Sequence, residues 1–323
     1  MHKKLVNHCT INLTIIPDGP ILIKSGKEGA DPTKPDMEFV ETYHTGGRSI
    51  YLPGSSLKGA IRAHAERIVR TVGRETNSSN SSLPWANDPL NDKYDYLKTK
   101  NISSCDIYKL SSFTDQMFGN TSIASRVRIE DAYPTDKTQL KIEERNGVAI
   151  DRVFGSVAVG PFNYQVCTSG EFKTKIHFKN FTLAQLGLMG LVLRDLNDGW
   201  FGLGFAKSRG LGTVSVQYNS ATVQYPSCIL AEDNQQISLL GSEKKWENTM
   251  LLGAGEFLER EEAKCYGFPI PDNQEIEETP VAAQLMDLGF GVELTFSGEE
   301  QVKDLFTRSV KAWKKLLQPG GTR

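Results

Sequence analysis

Apolar and polar positions alternate along residues 5–15. Leu5, Cys9, Ile11, Leu13 and Ile15 share one parity, while His8, Thr10, Asn12 and Thr14 share the other. A period of two predicts a half-buried strand. Pro17-Asp18-Gly19-Pro20 predicts a turn after it, and residues 24–48, rich in Gly, Pro, Lys and Asp, read as a long loop. From Ser55 the period lengthens. Leu57, Ala60, Ile61, Ala65, Ile68 and Val69 stripe one side of a helix, Lys58, Arg62 and Glu66 share the opposite side, and Gly73 is a plausible stop.

Residues 75–112 are dominated by Asn, Ser, Asp and Lys and read as an insertion. The core pattern returns at Phe172, where Phe172, Thr174, Ile176 and Phe178 alternate with Lys173, Lys175 and His177, a strand with one basic face. Thr182 with Gln185 three residues later has the form of a capping box, predicting a helix to about Asn197, and Val214, Val216 and Tyr218 mark a further strand. Two amphipathic helices are expected in the tail. The first carries Trp246, Met250, Leu251, Ala254, Phe257 and Leu258; the second carries Val302, Leu305, Phe306, Val310, Trp313, Leu316 and Leu317. Both stripes are read as core rather than partner sites.

This succession predicts an α+β fold with a ferredoxin-like or RRM-like core, the layout also used by RNA-recognition domains. Residues 1–220 form that core, with the insertion at about 75–112, and residues 221–323 form a C-terminal helical extension whose role the pattern leaves open. Fold alone does not fix function.

A chain of 323 residues with 39% hydrophobic content can bury a sizeable core. No stretch has the continuous apolar length of a signal peptide or a membrane span, so no membrane association is expected. Cys9, Cys105, Cys167, Cys228 and Cys265 are odd in number and scattered, with no CxxC pair pointing to zinc or to a disulfide framework, and a reducing cytoplasm is the natural setting. The net charge of -2 gives no general support for nucleic-acid binding, so that case rests on where the cations lie. Arg62, Arg67, Arg70 and Arg74 cluster after one motif, and Arg126, Arg128, Arg145, Arg152, Lys207 and Arg209 lie near others, while acids collect after Glu232.

Two segments carry candidate chemistry. In YLPGSSLKGAIR, Tyr51 to Arg62, Pro53-Gly54 makes a tight turn and Ser55 or Ser56 can cap the helix. Its free N–H groups, with Lys58 and Arg62 one turn apart, suit a phosphate; an ordinary capped helix with a solvated basic side reads equally well. In GWFGLGFAKSRGLGTV, Gly202, Gly204, Gly210 and Gly212 allow close backbone approach, and Lys207, Ser208 and Arg209 supply donors for a phosphodiester. The histidines at 2, 8, 44, 64 and 177 have no metal-site spacing, and His64 is read as a helix-side residue. Glu130-Asp131 and Asp151-Arg152 suit either metal ligands or structural ion pairs, and the structural role is favoured.

PGSSLKGAIR resembles the PGSSLKG helix start of RAMP-superfamily backbone proteins, and GLGFAKSRGLGTV is similar to their glycine-rich loop. MFGNTSIASRVRIEDAYP and RNGVAIDRVFGSVAVGPFNYQVCTSGEFKTKIHF resemble two further family stretches in the expected order. The four motifs cover most of residues 1–218, and residues 220–323 match nothing.

The resemblance implies a subunit of a type III CRISPR effector complex. Its partners would be guide CRISPR RNA, target RNA, other backbone and small subunits, and the large signalling subunit. It would hold the guide by its sugar-phosphate backbone and insert a thumb hairpin, about residues 145–161, into the guide–target duplex, leaving sequence to base pairing. Gly54, Ser55, Ser56, Lys58, Arg62, Arg126, Arg152, Lys207, Ser208, Arg209 and Gly210 are the candidate RNA contacts. Some family members cut the target with a loop aspartate and a divalent metal. Asp36 matches that position, as catalytic residue and as ligand for Mg²⁺ or another divalent ion, with Asp31 as runner-up; Met37-Glu38 replaces the commoner proline context. The alternatives are a non-catalytic structural or filament-capping subunit, and a stand-alone guide-processing endoribonuclease, which the lack of a paired histidine site disfavours.

Overall fold

The computed structural model describes residues 4–26, 35–74, 83–90, 97, 102–231, 234–274 and 281–318. The first strand, β1, is His8–Pro17. Its alternation is realised as predicted: Cys9, Ile11, Leu13 and Ile15 are buried to 2% exposure or less, each such side chain contributing roughly 1.5–3 kcal/mol. Part of the loop expected at 24–48 folds into a hairpin of β2, Glu41–His44, and β3, Gly47–Ile50. Gly46 and Gly47 make its reversal with φ of 90° and 98°, a region open to glycine at little cost.

Helix α1 is Gly54–Val72 and buries Leu57, Ile61, His64, Ala65 and Val69. Neither Ser55 nor Ser56 caps it, because the helix begins one residue earlier and Pro53 stands at the cap. Instead the Gly54 N–H donates to Asp131 Oδ1 at 2.7 Å, so a carboxylate from elsewhere in the chain sits at the positive helix end. His64 is buried, with Nε2 2.8 Å from Asp195 Oδ2 and its ring stacked on Phe201, a structural pairing.

The described part of the insertion contains α2, Ser104–Leu110, followed by α3, Phe113–Phe118. Then come β4, Val127–Ile129; β5, Tyr133–Pro134; and a long hairpin of β6, Lys141–Ile150, and β7, Val157–Ser169. Residues 145–161, expected to supply part of a thumb, lie within this hairpin. The strand β8, Phe172–Lys179, leads into α4, Leu183–Asn197, where both bonds of the Thr182–Gln185 capping box are present. β9 is Val214–Tyr225, so the boundary expected at residue 220 falls inside a strand.

β1, α1, β4, β8, α4 and β9 form the ferredoxin-like unit, its strands in the order β9-β1-β8-β4 and all antiparallel. The tail departs from expectation. Residues 246–258 are not helical: they lie in β12, Lys245–Glu247, which closes a small sheet with β10, Cys228–Leu230, and β11, Gln236–Leu239, then in β13, Leu251–Leu252, and a 3-10 turn, Ala254–Phe257. Gly253 there lies against the Asp272 carboxylate, an approach that leaves no room for a side chain. α5, Arg260–Tyr266, and β14, Asn273–Gln274, follow, and β14 pairs with β13. β15, Gln284–Leu285, and β16, Val292–Ser297, extend the main sheet beyond β9, and α6, Gly298–Leu317, the second predicted tail helix, packs on α4.

One cysteine expectation is overturned. Cys105 on α2 and Cys265 on α5 form a disulfide with their Cα atoms 5.6 Å apart. A sequence separation of 160 residues hides the pairing from any spacing rule. Cys9, Cys167 and Cys228 are free and buried. Among the described residues no helix is long and apolar enough to cross a membrane.

Candidate nucleic-acid interface

The strand register divides the central sheet into two unlike faces. Cys9, Ile11, Leu13 and Ile15 share their side with Phe178, Ile176, Thr174 and Phe172 and are buried. On the opposite side His8 pairs with Lys179, Thr10 with His177, Asn12 with Lys175 and Thr14 with Lys173, while Arg128 of β4 lies beside His177. On β9 the corresponding positions are Gln224, Thr222 and Ser220. The ferredoxin-like core thus presents a polar, cationic face, with Lys173, Lys175 and Lys179 exposed. A cleft of about 590 Å³ on this face is lined by Arg128, Lys173, Lys175, Asn12 and His44, whose ring stacks on Tyr133. The FKTKIHF alternation announces these lysines, but the site expectations drawn from motifs pass over them.

The glycine-rich loop is a second basic projection. Gly204 and Gly212 have φ of 76° and 90° and lie against the backbone of Leu22 and Leu203. Phe205 N–H donates to Leu22 O and Gly212 N–H to Pro20 O, at 2.7 and 2.8 Å. These two glycines therefore let the loop lie flat on residues 20–22. Gly210, φ 85°, has open space around it and ends a 3-10 turn that exposes Lys207, Ser208 and Arg209. Arg209 also covers the Phe205 ring at 5.0 Å.

The same segment connects the loop to the hairpin. Ile21 exchanges two backbone hydrogen bonds with Cys167 of β7, and Val40 N–H donates to Ile23 O. Met37 N–H donates to Asn163 O, and Gln165 N–H to Met37 O, so residues 37–40 run beside the hairpin's root. Asp36 stands there, exposed, with Oδ2 accepting the Asn163 N–H at 2.9 Å. Asp31 lies outside the described residues. At the hairpin's far end Asp151 Oδ1 accepts the N–H groups of Val153 and Phe154, each at 2.8 Å, and Arg152 projects into solvent. Val153 and Phe154 are 82% and 84% exposed, an apolar tip with no partner surface of its own among the described residues.

Two expected RNA contacts have other tasks. Arg126 is 3% exposed, with its guanidinium 4.2 Å from the Tyr108 ring centre and Nη1 donating to Asn180 O. Arg62 donates to Glu66, to the fully buried Asp115 and to Gly119 O, tying α1 to α3. Both hold the fold, Arg126 by its burial against Tyr108 and its bond to Asn180 O, Arg62 by its three bonds to α1 and α3 groups. Lys58 sits between the two cases. Its Nζ donates to Ser125 Oγ at 2.7 Å, and burial, then Arg62, holds its pKa below the ordinary lysine range.

A second cleft, about 540 Å³, runs along the β4 edge and is lined by Ser55, Lys58, Arg128, His8, His177 and Lys179. The ring centres of His8 and His177 are 5.7 Å apart, a histidine pair that 169 residues of separation conceal in the sequence. His177 Nε2 is 2.8 Å from Glu130 Oε1, and Asp131 is engaged at the α1 terminus, so both acids play the structural roles expected of them. Among the described residues no group of three or more His, Cys, Asp or Glu side chains is placed to hold a metal ion. Asp36 belongs to no such group among the described residues.

The family model described as the RAMP superfamily matches residues 14–215, from the end of β1 through the PGSS helix and the β6–β7 hairpin to the glycine-rich loop and the start of β9. No curated protein matches the chain. The match spans more than half of the 323 residues, and the order of its elements is that of the ferredoxin-like unit carrying the basic face. The chain belongs to the RAMP superfamily, a group of CRISPR-associated RNA-binding proteins.

Proposed function

We propose that this chain is a guide-RNA-binding backbone subunit of a type III effector complex and that Asp36 acts in cutting the paired target RNA. The observation that carries the reading is the backbone continuity from the glycine-rich loop through residues 20–24 to the root of the hairpin, where Asp36 stands. A strand of RNA lying over Lys207 and Arg209 and along the hairpin would pass this carboxylate. Phosphate contacts of this kind position RNA without reading its sequence, which fits a guide that differs from complex to complex.

An exposed carboxylate accepts hydrogen bonds, and Asp36 is suited to orienting a ribose 2′-hydroxyl toward its adjacent phosphorus. A divalent cation held at Asp36 would take further oxygen ligands from the RNA phosphates. Other backbone subunits, the small subunits and the large signalling subunit are the proposed protein partners, and the apolar hairpin tip at Val153 and Phe154 is the part of the chain that would enter the duplex or meet a neighbour.

The test is the assembled complex incubated with target RNA. Asp36→Ala is expected to remove cuts in a regular series while target binding persists; an unchanged series makes the subunit a scaffold or a filament cap. A second reading, a stand-alone guide-processing endoribonuclease, is favoured by the approach of His8 to His177. Isolated chain that cuts precursor repeat RNA in chelator would establish it in place of the first.

A further inference from the structure

The cleft along the β4 edge gathers positive groups from four elements: His8 from β1, Lys58 from α1, Arg128 from β4, and His177 and Lys179 from β8. Two carboxylates are close: Glu130, engaged by His177 and by Arg128 at 3.2 Å, and Asp131, which accepts the N–H of the lining residue Gly54 at 2.7 Å. The two histidines differ in what they can do. Both ring nitrogens of His177 have partners, Thr10 Oγ1 at 3.2 Å and Glu130 Oε1 at 2.8 Å. His8 is hydrogen-bonded to the Gln224 side chain of β9, whose amide in turn donates to Glu293 of β16. Among the described residues no acid forms an ion pair with His8 itself.

We propose that this cleft is a proton-linked contact for an RNA phosphate, with His8 the group that takes up the proton when the phosphate enters. The inference rests on the RNA-binding reading above and adds to it a site and a pH dependence. An empty cleft of this kind disfavours the imidazolium: burial first, then His177, Arg128 and Lys179, hold the His8 pKa below its ordinary value, against the raising effect of Gln224. A phosphate brings the missing negative charge and two or more acceptor oxygens, so the bound state favours the protonated ring. Affinity must then rise as pH falls.

The surroundings favour RNA over an acidic peptide. The cleft continues onto the face carrying Lys173, Lys175, His177 and Lys179, which recur at every second residue of one strand. That gives a spacing of roughly 7 Å, comparable to the separation of consecutive phosphates in a stretched nucleic-acid strand. An RNA strand carries a phosphate at every nucleotide whatever its sequence, whereas a peptide matches the spacing only where acids alternate along it.

The experiment uses the full chain with a fluorescein-labelled single-stranded uridine oligonucleotide at constant salt, from about pH 8 to about pH 5.5. Wild-type affinity is expected to increase by roughly three- to tenfold over this range, and His8→Gln to bring the ratio close to one. The His8 ring proton resonance of the wild-type protein provides a second reading that needs no variant: RNA is expected to move its titration midpoint upward. Retention of the wild-type ratio in folded His8→Gln, or a midpoint that RNA does not move, overturns the inference. So does polyglutamate that competes as well as RNA at equal charge, because the site would then take any polyanion. RNA binding without pH dependence removes this inference alone, whereas no RNA binding at either pH removes the RNA-binding reading with it.

Discussion

The carboxylate of Asp36 accepts a hydrogen bond from the backbone N–H of Asn163, 2.9 Å away, at the root of the β6–β7 hairpin. This one bond fixes the carboxylate relative to the hairpin while the side chain stays exposed. Asparagine at position 36 retains an oxygen for the Asn163 N–H but loses the negative charge. Asp36→Asn is therefore expected to abolish the associated cut, to bind target RNA within about twofold of wild type, and to change stability by less than about 1 kcal/mol. A complex whose cutting pattern is unaltered by Asp36→Asn would remove this residue from the chemistry.

The basic residues divide by what they touch, and substitution should divide them the same way. Lys207 and Arg209 are exposed on the glycine-rich loop, so replacing either by alanine is expected to weaken RNA binding with little change in thermal midpoint. Each lost phosphate contact should lower the slope of log K against log salt by about 0.7. Arg126→Ala should instead destabilise by roughly 2–4 kcal/mol, because it empties the space over Tyr108 and unpairs Asn180 O. Arg62→Ala leaves the fully buried Asp115 short of a partner and should also lower stability. Equal thermal melts for all four variants would refute this division.

Asp272 gives the fold a pH dependence. It is buried, its two oxygens accept the N–H groups of Leu183 and Gly255, and burial, with Glu256 adding to it, pushes its pKa up to about 7. The folded state therefore holds a proton that the unfolded chain has released above about pH 4. Its contribution to stability is complete below the unfolded value and is lost as pH rises through about 7. Urea unfolding of wild type should show stability falling by up to roughly 1.4 kcal/mol per pH unit between these limits from this group. Asp272→Asn cannot release the proton, so its slope should be flatter; identical slopes would assign the dependence to other groups.

The sequence was most legible where one short segment determines its own structure. Thr182 and Gln185 form their capping box without help from distant residues, and the alternation of β1 and β8 survives because each buries one face. The apolar positions 246, 250, 251, 254, 257 and 258 mimic a helical period, yet Trp246 belongs to a small sheet and its indole N–H donates to Glu256. Pairing with Asp272 and with β14 outweighs local pattern there. At the site, Lys207 and Arg209 were recognisable because a loop tip has few neighbours. Arg62 and Arg126 were not, since Asp115 and Asn180 lie more than fifty residues along the chain from them. The same distance hid His8 from His177.

The packing of α6 on α4 tests whether the tail is integral to the core. Gly187 lies against the Ser309 backbone, and Gly190 lies beneath the Phe306 side chain, with its ring atoms 2.7 Å from where a Cβ would stand. Alanine in a helix interior is ordinarily favoured over glycine by about 1 kcal/mol, so steric cost must exceed that for either change to destabilise. At Gly187 the obstacle is backbone, which moves only if the helices separate, and Gly187→Ala is expected to cost roughly 1–3 kcal/mol net. At Gly190 the obstacle is a side chain that a second substitution can trim. Gly190→Ala should therefore be relieved by Phe306→Leu in the same chain, whereas Gly187→Ala should not. Thermal or urea unfolding of the three single and two double variants reads this directly. A Gly187→Ala protein as stable as wild type would mean that α6 does not press on α4 in solution, and that the sheet closes without it.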